Sequence, residues 1–353
     1  MATPCMRVVA ATLSPVLLGV TACALGLGGG CSSVRAVDVP QVACDALPSW
    51  REGAAKERIV DIVARATAAG SPEFVPVEDR IAVFDQDGTL WAEQPFYVQL
   101  AFAVDRVKAL RDAHPEWETE EPFASILRRD PRAVAAQGEA AVAKLMAATH
   151  GGMTVDEFRA TVRAWLDDAR HPETGLLYRD MVYQPMLELL AYLRANGFRT
   201  FIVSGGGTEF VRAFAAERYG IPTEQVIGSE PKFVYDADGP RPEVRSTGEI
   251  VFLDDRAGKP IGIMRRIGRR PTMAFGNSDG DLEMLEWTVA GDGVRLAAIV
   301  HHTDEAREWA YDRNSKVGRL DRALDRAGGD GWLRIDMAHD WATIYPAAAA
   351  RDR

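Results

Sequence analysis

Residues 80–91 constrain this chain more than any other segment, and they read Arg-Ile-Ala-Val-Phe-Asp-Gln-Asp-Gly-Thr-Leu-Trp. An apolar stretch typical of a buried strand runs directly into Asp85 and Asp87, and residues two apart on a strand point to the same face. Carboxylates this close repel each other and are costly to bury. They persist where a cation neutralises them or where one carries a proton, and both conditions suit phosphoryl transfer. The alternative is an acidic turn after a strand, because Asp-Gly is a common turn pair.

Three further segments continue this pattern along the chain. Residues 201–207 read Phe-Ile-Val-Ser-Gly-Gly-Gly, a strand that ends in a hydroxyl and glycines. Residues 258–261 read Gly-Lys-Pro-Ile, and residues 275–285 read Phe-Gly-Asn-Ser-Asp-Gly-Asp-Leu-Glu-Met-Leu. In each segment, residues of types that bind anions or cations lie at the end of an apolar stretch or beside one.

Together with Asp85–Thr89, these segments resemble, in order, the four motifs of the haloacid dehalogenase (HAD) superfamily. The resemblance is greatest to its phosphoserine phosphatase-like branch and covers about residues 78–300. It implies an α/β fold with a Rossmann-like core, in which helices flank a parallel sheet, plus an inserted α-helical cap. Alternating strands and helices independently indicate a parallel sheet with its chemistry at the carboxyl ends of the strands.

The resemblance implies a catalytic role for each aspartate of the first motif. Asp85 is the candidate nucleophile, which forms an aspartyl-phosphate that water then hydrolyses. Asp87 is the candidate general acid/base, which protonates the leaving alkoxide and later activates the water. The dehalogenases of the superfamily lack this second aspartate, because a halide leaving group needs no proton. Asp87 therefore favours a phosphatase.

The resemblance also implies a phosphate-binding set, which comprises Thr89, Ser204, Gly205 and Lys259. The two hydroxyls would donate to phosphoryl oxygens, and the glycine lets a backbone N–H approach an anion closely. Lys259 would neutralise charge on the phosphoryl group and on Asp85. Ser204 as a simple turn hydroxyl and Lys259 as a surface residue are the alternatives. For the arginines at 265–270, a solvated helix face is the favoured interpretation.

The fourth motif implies Mg²⁺, a hard cation that prefers oxygen ligands. The superfamily usually has Gly-Asp where this chain has Gly-Asn277, and an amide oxygen can ligate Mg²⁺ without a full charge. The implied ligands are Asp85, the Asp87 carbonyl and Asn277, with Asp281 and Asp279 as direct or water-mediated partners. Either Asn277 weakens Mg²⁺ binding or Asp279 replaces the missing charge. A capping turn before the next helix is the alternative for this segment.

Residues that directly follow the nucleophile are candidates for substrate recognition, namely Trp91, Glu93 and Tyr97. Aromatic rings beside a carboxylate can bind an ammonium group. Phosphoserine and phosphorylcholine are therefore plausible substrates. Packing in the core or at the cap hinge is the alternative role for the aromatic rings.

The chain divides into a core, residues 49–91 and 181–345, and a helical cap, residues 92–180, because the stretch between the first two motifs is too long for a simple crossover. Periodicity predicts the following elements: helices at 51–69, 96–111, 122–129, 132–148, 154–169, 185–196, 304–313 and 319–327; a helix capped by Thr208; strands at 81–85, 199–204, 271–275 and 295–300; and a hairpin at 228–253.

The first residues have the pattern of an export signal. Residues 1–22 are the predicted signal peptide, whose apolar run is too short to span a bilayer comfortably. Val-Thr-Ala-Cys23 resembles a bacterial lipobox, which implies a lipidated Cys23, a tether over 23–48 and a lipid anchor at the extracytoplasmic or periplasmic face. Ordinary secretory cleavage, lipidation of Cys31 and a transmembrane anchor are alternatives. A pairing of Cys31 with Cys44 stays open.

The composition fits a soluble globular protein, because 47% of the 353 residues are hydrophobic and 26% are charged. A net charge of −10 argues against nucleic acid as a partner.

The leading hypothesis is an exported, Mg²⁺-dependent phosphomonoesterase that acts on a small-molecule phosphate ester. A non-catalytic lipoprotein that binds a phosphate ligand is the second hypothesis, supported by Asn277. A 2-haloacid dehalogenase is the third and fits poorly with Asp87.

Overall fold

The computed structural model describes residues 47–130, 138–329 and 331–347. The predicted signal peptide, nearly all of the predicted tether, and with them Cys23, Cys31 and Cys44, lie outside the described residues. Of the helices within the described residues, none combines the length and apolar character needed to cross a membrane.

The core of the protein is an eight-stranded sheet with the order β4-β3-β2-β1-β5-β6-β7, in which β8 also pairs with β6. The strands are β1 (Ile81–Phe84), β2 (Arg199–Gly207), β3 (Val226–Asp236), β4 (Glu243–Phe252), β5 (Met273–Gly276), β6 (Leu296–Thr303), β7 (Ala310–Tyr311) and β8 (Leu333–Asp336). All pairs are parallel except β3–β4 and β6–β7. The predicted α/β class with a mostly parallel sheet is confirmed.

Helices flank this sheet and fill the insertion between β1 and β2. The helices are α1 (Ala54–Thr67), α2 (Val98–Leu110), α3 (Phe123–Leu127), α4 (Gly138–His150), α5 (Val155–Asp168), α6 (Gln184–Ala195), α7 (Thr208–Arg212), α8 (Ala215–Tyr219), α9 (Gly258–Arg266), α10 (Leu282–Val289), α11 (Arg322–Gly329) and α12 (Met337–Asp340). Short 3₁₀ segments lie between them at Val77–Asp79, Arg111–Ala113, Pro115–Glu118, Tyr178–Asp180 and Thr223–Gln225.

Strand β1 shows why the sheet is buried on both faces. Ile81 and Val83 belong to one apolar cluster, whereas Ala82 and Phe84 belong to another. Successive side chains of a strand point to opposite faces. Continuous apolar strands are typical of parallel sheets that helices cover on both sides. Phe84 also stacks on Phe275 of the neighbouring β5, with ring centroids 4.6 Å apart.

The insertion between β1 and β2 is helical, as the sequence predicts. Helices α2 to α4 share an apolar cluster of their own, which includes Val107, Trp117 and Leu145. Helix α5 begins with a capping box: Thr154 Oγ1 accepts from Glu157 N, and Glu157 Oε2 accepts from Thr154 N. Such reciprocal bonds satisfy two backbone donors that a helix start leaves unpaired. The boundaries of a separate cap at 92–180 stay a prediction.

Two predictions of local structure are wrong. Residues 304–313 form no helix, because β7 pairs antiparallel with β6 and the backbone N–H of Trp309 is bound by the Glu308 carboxylate. Thr208 does not cap a helix, since it is the first residue of α7 and its hydroxyl donates to the carbonyl of Ser229. The predicted hairpin is confirmed, with β3 and β4 antiparallel.

Candidate active site

Three adjacent strands end at one edge of the sheet and bring the predicted motifs together. Asp85 follows β1, Asn277 follows β5, and Ser204 lies within β2, and β2, β1 and β5 are neighbours. The backbone N–H of Asp85 donates to Phe275 O over 2.9 Å, so hydrogen bonding to β5 continues to the candidate nucleophile. Gly88 then turns the chain with a φ of +71°, a conformation that glycine adopts without a steric penalty.

Lys259 is a buried residue of the site rather than a surface residue. It lies in the first turn of α9 and is 2% exposed. Its Nζ donates to Asp85 Oδ1 over 2.6 Å, to Asp281 Oδ1 over 2.5 Å and to Val203 O over 3.1 Å. Burial alone would lower the pKa of Lys259, but the two carboxylates raise it above its ordinary value. The lysine therefore carries a positive charge against the candidate nucleophile.

The candidate nucleophile is strongly influenced by its surroundings. Burial, and next the negative charge of Asp281, raise the pKa of Asp85 well above its ordinary value, and Lys259 opposes this rise. When two buried carboxyl groups share one lysine, further positive charge nearby favours their ionised form. A cation beside Asp85 would therefore lower its pKa.

Asp87 is held by a tryptophan of the core. Trp91 Nε1 donates to Asp87 Oδ1 over 2.7 Å. Burial raises the pKa of Asp87 to about 6, and this hydrogen bond opposes the rise. A carboxyl group with a pKa near neutrality can both donate and accept a proton, which is what a general acid/base must do.

Asp281 and Asp279 make contacts with different parts of the protein. Asp281 Oδ1 accepts from Lys259, and Oδ2 accepts from the backbone N–H groups of Asn277 and Ser278 at 3.0 and 3.1 Å. Asp279 Oδ1 accepts from the N–H groups of Asp321 and Ala323 at the start of α11. These contacts make Asp281 the carboxylate that orients Lys259 and the fourth motif, and they direct Asp279 toward a helix start.

Helix α2 contacts the glycine-rich segment that follows Ser204. Ser204 Oγ accepts from Gly206 N over 3.0 Å, and the pairing of β2 with β3 shifts register between Ser204 and Gly207. Gly207 N donates to Gln99 Oε1 of α2 over 2.8 Å. The Gly205 carbonyl accepts from Ser229 Oγ over 2.8 Å. Sequence reasoning missed Gln99, and nothing in its local pattern distinguishes it from any polar residue of a helix.

Thr89 and Glu93 meet the fourth motif at Asn277. Thr89 Oγ1 donates to Asn277 Oδ1 over 3.3 Å, and Asn277 Nδ2 donates to Glu93 Oε1 over 2.6 Å. Burial and the charge of Asp87 raise the pKa of Glu93 well above its ordinary value. Glu93 is therefore an internal partner of the site. Tyr97 is 40% exposed, and its hydroxyl accepts weakly from Gly318 N at 3.4 Å.

The chain's donors fit a hard cation that keeps much of its own water. Within the described ranges, no three His, Cys, Asp or Glu side chains are grouped so that they alone could hold a metal. The donors at the strand ends are instead of three kinds: the Asp85 carboxylate, the Asp87 carbonyl and the Asn277 amide oxygen. Mg²⁺ commonly takes one or two carboxylates and completes its shell with water and substrate phosphate. The residues present are compatible with it.

A buried histidine near the end of β6 is a second residue that sequence reasoning did not assign to the site. His302 Nε2 lies 2.8 Å from Gly88 O, and Nδ1 lies 3.2 Å from Glu308 Oε2. His301, on the opposite face, lies 3.6 Å from Asp312 instead. The contact to the Gly88 carbonyl fixes the turn between Asp87 and Thr89. Its only signal in the sequence is the His-His pair itself.

This chain is similar to several solved structures at low sequence identity. Curated protein sequences yield no match. Similar solved structures include a protein of unknown function from Bordetella pertussis Tohama I, with 18% identity, coverage of 73% of this chain and 98% of that chain, and a TM-score of 0.47. A HAD family hydrolase from Salmonella enterica serovar Typhi has 17% identity, coverage of 74% and 68%, and a TM-score of 0.40. A probable phosphoserine phosphatase from Vibrio cholerae has 15% identity, coverage of 67% and 61%, and a TM-score of 0.35.

A family model that matches the sequence assigns this chain to a protein family. The family model of haloacid dehalogenase-like hydrolases matches residues 82–286, which is more than half of the chain and includes the segments that carry Asp85, Ser204, Lys259 and Asn277. The chain belongs to the haloacid dehalogenase-like hydrolases.

Proposed function

We propose that this protein is a Mg²⁺-dependent phosphomonoesterase that acts on a small organic phosphate. The observation that carries the proposal is the contact of Lys259 with both Asp85 and Asp281, beside an Asp87 whose pKa is raised to about 6. A nucleophilic carboxylate, a fixed positive charge and a carboxyl group poised to exchange a proton are the groups that transfer of a phosphoryl group to an aspartate requires.

In the first step, Asp85 attacks phosphorus while the bond from phosphorus to the ester oxygen breaks. Protonated Asp87 gives its proton to the leaving alkoxide, so an alcohol departs and Asp85 carries the phosphoryl group. In the second step, ionised Asp87 takes a proton from water as the water attacks phosphorus and the bond from phosphorus to the Asp85 oxygen breaks. Inorganic phosphate leaves, and both aspartates return to their starting states. The raised pKa of Asp87 suits both directions of this proton transfer near neutral pH.

The remaining residues bind the phosphoryl group and orient the nucleophile. Lys259 holds one oxygen of Asp85 and offsets negative charge at the reacting centre. The Ser204 hydroxyl and the Gly205 N–H group are the proposed neutral donors to the phosphoryl oxygens, because the N–H groups of Gly206 and Gly207 already donate to Ser204 Oγ and Gln99 Oε1. Mg²⁺, held by Asp85, the Asp87 carbonyl and Asn277, would supply the positive charge that makes phosphorus accessible to an anionic nucleophile.

The proposed substrate does not have to carry an ammonium group. Trp91 is buried and bonded to Asp87, and Glu93 is buried and bonded to Asn277, so neither faces a ligand as an open aromatic or acidic wall. Of the predicted recognition residues, Tyr97 alone keeps a large exposed surface. Phosphoserine and phosphorylcholine remain members of the panel to be tested.

We also propose that the protein is exported and anchored by a lipid on Cys23. Support comes from the lipobox-like Val-Thr-Ala-Cys23 after a short apolar run, and from the position of all four cysteines within the first 44 residues. Metabolic labelling with a radioactive fatty acid tests the anchor. Incorporation into the natural chain and its loss in Cys23→Ser support the proposal, and equal labelling of both contradicts it.

A phosphate-release assay on the full chain tests the activity. A panel of small phosphomonoesters is incubated with Mg²⁺ or with a chelator, beside Asp85→Asn as the inactive control. Release that needs Mg²⁺ and disappears in Asp85→Asn supports the phosphomonoesterase, and the ranking of esters identifies the substrate class. A folded protein that binds esters without releasing phosphate would instead support the non-catalytic binding protein.

A further inference from the structure

Glu93 contacts the candidate cation ligand Asn277 from the side opposite Thr89. Asn277 Nδ2 donates to Glu93 Oε1 over 2.6 Å, and the hydroxyl of Tyr311 donates to the same oxygen over 2.8 Å. Asn277 is 1% exposed and Glu93 is 2% exposed. The pair lies 184 positions apart in the chain, so the contact is made only by the fold.

This contact determines which way the Asn277 amide points. Glu93 Oε1 already accepts from the Tyr311 hydroxyl, so it faces Asn277 as an acceptor, and the amide nitrogen, which carries the hydrogens, has to face Glu93. The reverse orientation would place two oxygens 2.6 Å apart with no proton from the amide between them. The amide oxygen is thereby turned toward Thr89, whose hydroxyl donates to it. The Thr89 hydroxyl could serve either orientation, so Glu93 is the partner that decides.

The backbone closes around this contact and keeps it from relaxing. A Cβ added at Gly88 would collide with the Asn277 amide and with Glu93 Oε1. A Cβ added at Gly318, where φ is +62°, would collide with the Glu93 carboxylate from the other side. Tyr311 is itself fixed, because its ring stacks on His302 with centroids 4.3 Å apart. The carboxylate therefore has one place to lie.

We propose that Glu93, held by Tyr311, is a positioning residue that presents the Asn277 oxygen to the cation. A hydrogen-bond acceptor on the NH₂ group polarises the amide and increases negative charge on its oxygen, as hydrogen-bonded partners do for other metal ligands. A neutral amide thus gains part of the strength of a carboxylate ligand. The inference rests on the proposed function, because that function supplies the cation.

Variants that exchange the carboxylate of Glu93 and the amide of Asn277 test the proposal on the full chain. Mn²⁺ binding, followed by electron paramagnetic resonance, reads cation affinity without any need for turnover. Glu93→Gln keeps the shape and removes the charge, and it should weaken Mn²⁺ binding by about 10–100-fold, the usual effect of losing such a partner. Tyr311→Phe should cause a smaller loss in the same direction. The double variant Glu93→Gln/Asn277→Asp moves the carboxylate from position 93 to the cation ligand at position 277. The side chain at position 93 then donates the hydrogen bond and the side chain at position 277 accepts it. This variant should restore Mn²⁺ affinity.

Two further readouts separate positioning from a merely structural role. At saturating Mg²⁺, Glu93→Gln should keep the KM for the ester while the Mg²⁺ concentration for half-maximal rate rises. Without metal, Asn277→Asp alone places two carboxylates in contact, so its melting temperature should fall and should recover in the double variant. Glu209→Gln is the matched control, because Glu209 is a buried carboxylate bonded only to Arg159 and Arg212 among the described side chains, and it should bind Mn²⁺ as the natural chain does.

Equal Mn²⁺ affinity of the natural chain and Glu93→Gln would overturn the inference, as would a double variant no better than Glu93→Gln alone. Failure of the natural chain to release phosphate from any ester would overturn the proposed function instead. The melting temperatures of Asn277→Asp and the double variant report on the Glu93–Asn277 contact in either case. If these temperatures are equal, the proposed contact is wrong even in an active enzyme.

Discussion

Trp91 Nε1 donates a hydrogen bond to Asp87 Oδ1 over 2.7 Å, while the Trp91 ring stacks on Phe214 with centroids 4.8 Å apart. Trp91 is 1% exposed, so one side chain belongs both to the core and to the candidate acid/base. A hydrogen bond to a carboxylate favours its ionised form. Packing of the core therefore influences the pH at which Asp87 gains or loses its proton.

Replacing Trp91 with Phe should shift the pH dependence of the reaction upward. The lost hydrogen bond no longer stabilises ionised Asp87, so its pKa should rise above about 6, by about one unit. The phosphoenzyme hydrolysis step needs ionised Asp87 and the transfer step needs protonated Asp87, so the pH profile of either moves to higher pH. Rates of each step measured against pH check this. Trp309→Phe, which loses an indole bond to Glu173, should leave the profile unchanged, and an unchanged profile in Trp91→Phe would contradict the prediction.

Replacing Lys259 with Met should destabilise the protein strongly at pH 8. Asp85 and Asp281 would lose the positive charge between them while remaining buried, and removing one member of a buried ionic network costs about 3–5 kcal/mol. The loss should shrink at acidic pH, where the carboxyl groups can take up protons. Urea unfolding in a chelator at both pH values measures it.

Lys232→Met is the control for this prediction. Its ion pair with Glu249 is largely exposed, and such pairs contribute about 0–1 kcal/mol. Similar unfolding free energies for the two variants would show that the Lys259 contacts contribute little to stability.

Asp254 should make the protein less stable as the pH rises. Among the described residues, neither carboxylate oxygen of Asp254 has a hydrogen-bond partner. Burial raises its pKa to about 7; Lys259 opposes the rise, and Glu230 and Asp255 add to it. Because the folded state holds this proton more tightly than the unfolded state, the free energy of unfolding should fall between about pH 4 and pH 7. The penalty is fully present above pH 7.

Asp254→Asn removes that penalty. The variant should be more stable than the natural chain at pH 8, by on the order of 2–4 kcal/mol, and nearly equal to it at pH 4. Denaturant unfolding at both pH values gives the comparison. Asp255→Asn changes a partly exposed neighbour that makes only a minor contribution to the rise, so it should show a much smaller pH-dependent gain. A stability difference that is the same at pH 4 and pH 8 would mean that the Asp254 carboxylate is not the cause.

Local sequence patterns predict the parts of the fold that short-range physics determines. The continuous apolar run of β1 places Asp85 at a strand end, and Thr154 with Glu157 marks the start of α5. The apolar run before Ser204 predicts β2, although the strand continues to Gly207. In each case the determining contacts lie within a few residues, so the spacing of residue types is enough.

Contacts between distant segments explain what the sequence left open. Lys259 is compatible with a surface residue until α9 packs beside β2 and brings Nζ to Asp85. The prediction of a helix over 304–313 is wrong because Glu308 and Tyr311 bind buried partners across the sheet edge. Glu93 was predicted as a recognition residue, and only the fold shows that it contacts Asn277. No periodicity encodes a contact between two residues so far apart in the chain.

The most direct measurement is the mass of the protein itself during turnover. The full chain is mixed with Mg²⁺ and the best ester of the panel, quenched in acid within the first turnover, and analysed intact and after proteolysis. The account predicts an added phosphoryl group on the peptide that contains Asp85, more of it in Asp87→Asn because hydrolysis slows, and none in Asp85→Asn. Phosphate release at full rate with no phosphorylated Asp85 in either the natural chain or Asp87→Asn would contradict it.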